Sequence, residues 1–115
     1  MTIEESVFAA LSTVVPNSHA VELPKRPTWP AIVFDIESTP EAGWPAGTGY
    51  DQHVVSVVTL GRNLAAIKAM RPQIIAALEL IPGYMTDEEY GDADYEADPE
   101  VYGFFQNFRI RTRRD

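Results

Sequence analysis

Cysteine is absent from this 115-residue chain, which removes disulfide frameworks, thiolate nucleophiles and thiolate metal ligands together. Such usage fits a reducing cytoplasm. Histidine is scarce: only His19 and His53 occur. Neither stands in H-E-x-x-H spacing or beside a nucleophile motif, so the sequence offers no catalytic set and no metal set. Neither G-x-x-x-x-G-K-[ST] nor G-x-G-x-x-G occurs. Gly43, Gly47 and Gly49 fall in a strand-to-strand loop without the helix N-terminus that a phosphate needs, so no cofactor is expected. Nothing approaches the roughly 20 apolar residues that cross a bilayer. Glu4 and Glu5 stand where an export signal would carry bases, so the expectation is a soluble, unexported chain with no membrane partner. Bases are few as well, nine Lys and Arg against seventeen Asp and Glu. Binding to nucleic acid needs a broad basic face, and none is expected here.

What is present is a localised charge. Asp87 to Glu100 holds eight of the seventeen carboxylates and no base, so the formal net charge of −8 belongs to this block. Four of the nine bases then crowd into Phe108-Arg109-Ile110-Arg111-Thr112-Arg113-Arg114. Opposite charges this close in sequence can pair within one molecule or between copies.

The length predicts one domain spanning 1–115, large enough to bury about two thirds of its unfolded surface. Thr2 and Glu5 form a capping box, and Ile3, Val7, Leu11 and Val14 follow at helical spacing, which predicts a helix over 3–14. Prolines 16, 24, 27 and 30 leave room for only a short edge strand around His19 to Leu23. Ala31 to Glu37 alternates as a half-buried strand, and His53 to Leu60 is apolar and β-branched on both faces, which predicts a central strand over about 52–60. Asn63 caps a helix over about 64–80, with Pro72 inside it, so that helix either bends or is two pieces. Asp87 to Glu100 reads as an acidic loop. Val101 to Thr112 reads as a last strand with Phe108, Ile110 and Thr112 on one face and Arg109, Arg111 and Arg113 on the other.

Candidate interface residues follow from this pattern. Trp44, in the glycine- and proline-rich loop between the two middle strands, either folds back on its own domain or anchors another subunit. Asp87, Glu88, Glu89, Asp92, Asp94, Glu96 and Asp98 form either a solvated loop or an electrostatic contact surface. Read as a calcium loop starting at Asp92, they lack the sixth-position glycine and the twelfth-position glutamate. Arg109, Arg111 and Arg113 either guard the edge of a sheet or dock on the acid block of a neighbour, a head-to-tail contact that closes rings.

The order of elements carries a resemblance. A short first helix leads to Trp29-Pro30-Ala31-Ile32-Val33-Phe34, a glycine-rich hairpin, a strand-helix unit over 53–80, a tyrosine- and acid-rich stretch, and Phe104-Phe105-Gln106-Asn107-Phe108-Arg109-Ile110. Nearly the whole chain resembles the small tail-completion or tail-terminator proteins of long-tailed bacteriophages and prophages. The resemblance implies an α+β domain, a mixed or antiparallel sheet of about four strands with two helices against it. It implies a non-enzymatic structural protein, assembled in the host cytoplasm as a ring of six copies at the head-proximal end of the virion tail. Its partners would be itself, the tail tube protein and head-tail connector proteins. The alternatives are a head-completion or connector adaptor, and a non-virion acidic module for a basic partner.

Overall fold

The computed structural model describes residues 2–21, 23, 28–41, 49–95 and 98–113. Trp44 and Glu96 lie outside them. The Thr2 hydroxyl accepts from the Glu5 backbone N–H at 3.2 Å while the Glu5 carboxylate reaches back to Thr2, and this capping box starts α1 (Ile3–Val14). Val7 and Leu11, one turn apart, are fully buried. Extended Val15 ends the helix, and β1 (Ser18–Ala20) follows, parallel to β2 (Ala31–Pro40). β2 turns back into β3 (Tyr50–Gly61), and β3 pairs on its other side with β5 (Tyr102–Arg113). β4 (Tyr84–Asp94) lies outside β5, giving a five-stranded mixed sheet in the order β1-β2-β3-β5-β4.

The chain leaves β3 through α2 (Leu64–Ala69) and α3 (Arg71–Glu79) before it reaches β4. β3 and β4 are both antiparallel to β5, hence parallel to each other, and parallel strands need a long crossover. Asn63 caps α2 through its side chain at 3.1 Å. The helix predicted over 64–80 is thus two pieces. Met70 separates them, and Pro72 sits in the first turn of α3, where the missing N–H has no helical partner to lose.

One sheet face carries Ile32, Phe34, Val55, Val57, Phe108 and Ile110, which join Val7, Leu11, Ile74 and Leu78 in the main core. Each such side chain contributes about 1.5–3 kcal/mol by leaving water. The fold class is α+β as expected, with five strands. Two expectations need correction. The acidic stretch does not begin as a loop: Tyr84–Asp94 is a strand, and a turn at Pro99 and Glu100 precedes β5. Nor does the arginine strand guard an edge, because β5 lies between β3 and β4; the acidic β4 is the edge. Carboxylates and the two register shifts in β4 are both devices that discourage a second chain from pairing there.

Candidate assembly surface

The helices cover one face of the sheet; on the other, side chains of β2, β3 and β5 meet in rows. Val33, Val58 and Phe105 form an apolar row, Asp35, Ser56 and Asn107 the next, then Glu37, Val54 and Arg109, and last Thr39, Gln52 and Arg111. The apolar end grades into a charged end.

At the charged end one hydrogen-bonded chain spans the open face. Arg111 donates to Glu41 through Nε at 2.5 Å and Nη2 at 3.1 Å. Gln52 donates to the same carboxylate at 3.3 Å, and its carbonyl accepts from Arg109 Nη1 at 2.7 Å. Arg109 Nε then donates to Glu88 at 2.5 Å. Planar guanidinium forks suit this role because they hold several acceptors in fixed directions. The Arg111 guanidinium also lies 3.8 Å from the centre of the Tyr50 ring. Its pKa is raised above its ordinary value, first by the hydrogen bond to Glu41. Beside this network a groove of about 580 Å³ is bordered by Glu37, Thr39, Gln52, Val54 and Arg109.

The sequence-predicted charges are largely engaged within the chain. Glu88 meets Arg109, so the acid block and the arginine strand do touch in one molecule, across the β4–β5 pair. Asp87 reaches Arg71 at 3.7 Å, Asp92 reaches Lys68 at 3.3 Å, and Asp98 reaches Arg62 at 3.0 Å. Exposed pairs of this kind contribute about 0–1 kcal/mol each. Glu89 and Asp94 are exposed and form no ion pair among the described residues, and Arg113 is exposed at the end of β5. Asp92 and Asp94 alternate because they lie on a strand. Among the described residues no group of three or more His, Asp or Glu is placed to hold a metal.

Sequence reasoning missed Glu41, Gln52 and the bases on α2 and α3, whose partners are distant in sequence. It also missed a cross-strand tie. His53, buried on β3, bonds through Nδ1 to the Ser38 hydroxyl at 2.6 Å and through Nε2 to the Thr112 hydroxyl at 2.7 Å. Both ring nitrogens are engaged by hydroxyls on neighbouring strands. The trio ties β2, β3 and β5 together.

No family model matches the chain, and no curated protein matches it. Its fold is similar to that of a chain in a solved structure, the virion of a native gene transfer agent particle. The likeness covers 96% of this chain and 94% of that chain, with a TM-score of 0.60 and 14% sequence identity. The TM-score over this coverage shows a similar fold.

Proposed function

We propose that the chain is a structural virion protein that closes the head-proximal end of a phage-like tail tube as a ring of six copies and offers the surface by which tail joins head. The observation that carries this reading is the likeness in fold to a virion chain over nearly the full length of both. The order of elements along the sequence supports the tail-terminator assignment within that class. The proposed role is non-catalytic, and Ser38, His53 and Thr112 bond to one another across strands as a structural tie. Neighbouring copies, the tail tube protein and connector proteins are the proposed partners, met in the host cytoplasm during assembly.

The test is electron microscopy of particles from a producing host lacking this gene alone, with the gene restored in trans. Full heads beside unjoined, overlong tails are expected. Tails of normal length beside leaking heads would assign the protein to the head side of the junction, and normal infectious particles would overturn the virion reading.

A further inference from the structure

The sheet has an unfinished edge. β2 runs from Ala31 to Pro40, yet β1 pairs only with Ile32 to Phe34. From Asp35 to Pro40 the side of β2 away from β3 has no strand beside it among the described residues. The direction of each backbone group can be worked out. Ile32 N–H bonds to Asn17 and Phe34 C=O accepts from Val21, so the even-numbered residues bond outward; Glu41 N–H donates inward to Tyr50, so the odd ones face β3. Ile36, Ser38 and Pro40 therefore turn their backbone groups to the open side. The Asp35 carboxylate takes the Ile36 N–H at 2.9 Å, which leaves the Ser38 N–H and three carbonyls as ladder groups without a partner strand among the described residues.

Side chains beside this edge are acidic. Asp35 and Glu37 are exposed on the open face, about 7 Å apart by strand geometry, and neither forms an ion pair among the described residues. Where β1 stops, a pocket of about 150 Å³ opens between Glu4, Ala20, Val21, Phe34, Asp35 and Ile36. Backbone donors and acceptors in a row, two like charges at strand spacing and a small side-chain pocket are the elements of strand addition.

We propose that the edge of β2 from Asp35 to Pro40 is a strand-addition site for an extended basic segment of another protein. Among the described residues, Arg62, Lys68, Arg71, Arg109 and Arg111 are each paired with a carboxylate of their own chain, so none of these five is spare to meet Asp35 and Glu37 of a second copy. Among the described bases only Arg113 is outside an ion pair, and the basic segment proposed here is that of another protein. The added strand places alternate Lys or Arg residues opposite Asp35 and Glu37, and its intervening residues lie beside Ile36 and Ser38. This inference does not rest on the virion reading.

The probe is a synthetic peptide alternating arginine with valine and threonine, followed by fluorescence anisotropy against the intact protein. Two further peptides carry N-methyl groups on every second amide, one in each frame. Binding is expected for the parent peptide and for one methylated frame, with loss in the other, because only one set of amides can bond β2. Asp35→Asn/Glu37→Gln is expected to weaken the parent peptide by about tenfold or more, with asparagine still able to accept from Ile36. In the complex the Ser38 amide is expected to gain protection from hydrogen exchange. No binding of the parent peptide, or equal binding of all three peptides, would overturn the proposal, as would an unchanged affinity for the double variant.

Discussion

Arg111 and Glu41 are joined by two parallel hydrogen bonds across seventy positions of sequence. The carboxylate is the more enclosed partner, its side chain 13% exposed against 40% for the arginine. Arg62, by contrast, is half exposed and shares itself between Asp98 and Glu100, the latter 85% exposed. Removing the arginine from an enclosed carboxylate strands more charge than removing it from an open one. Arg111→Met is therefore expected to lower Tm more than Arg62→Met, and adding Glu41→Gln to the former is expected to restore part of the loss. Thermal unfolding of the four proteins at low and high salt decides this, and equal losses for the two single variants would contradict it.

Gly83 occupies a position that no other residue fits. Its φ is +94°, its carbonyl accepts from the Arg111 N–H at 2.8 Å, and a Cβ would sit 1.8 Å from the Arg111 carbonyl oxygen. Backbone cannot yield as a flexible side chain does. Gly83→Ala is expected to cost about 3 kcal/mol or more in urea unfolding. Gly49 provides the contrast, with φ +82° and nothing within 4 Å of its Cβ position, so alanine there is expected to cost about 1 kcal/mol. Similar losses at both positions would mean that conformation alone, and not the contact with β5, sets the penalty.

Tyr84 carries a pH signature. Among the described residues its buried hydroxyl has no hydrogen-bond partner, and its pKa is raised above the ordinary 10.0, first by burial and then by the charges of Asp87 and Glu79. A raised acid pKa means that the folded state keeps the proton longer than the unfolded chain. The associated stability is complete below pH 10 and is lost as the pH rises through the folded value. Tyr84→Phe is expected to leave stability at pH 7 unchanged or slightly higher, because it removes an unpaired polar atom. Above pH 10 the variant is expected to lose less stability than the parent. Parallel curves for the two proteins from pH 8 to 11 would show that the phenol titrates alike in both states.

Where apolar residues keep a period, the sequence was readable. Val7 and Leu11 marked the buried stripe of α1, Thr2 and Glu5 its start, and the alternation of Ile32, Phe34 and Ile36 the inner face of β2. β4 was not readable, because an edge strand in contact with water on both faces needs no alternation, and Asp87, Glu88 and Glu89 stand in succession where a loop would place them. Strand order was hidden for a different reason. Nothing in the arginine pattern of β5 tells whether a further strand lies outside it. The Ser38, His53 and Thr112 tie and the Glu41 to Glu88 network join residues that only the pairing register brings together. The open edge of β2 likewise arises from the mismatch between a three-residue β1 and a ten-residue β2.

Two roles for the acidic edge lead to opposite expectations. Glu89 and Asp94 are exposed on β4 and form no ion pair among the described residues, so their charge is free either to repel a second sheet edge or to attract a basic surface. Repulsion follows from the geometry, since β4 is an edge strand with no further strand beside it among the described residues and its remaining carboxylates largely meet bases of their own chain. Glu89→Thr/Asp94→Thr is then expected to increase concentration-dependent self-association, measured by analytical ultracentrifugation, because threonine suits a strand and removes the repulsion. High salt acting on the unaltered protein is expected to shift association in the same direction, more weakly, by screening the same charges. If these acids instead hold neighbouring copies together, both the substitutions and the salt will dissociate assemblies. The sign of the change therefore separates edge protection from docking without requiring the ring to form in free solution.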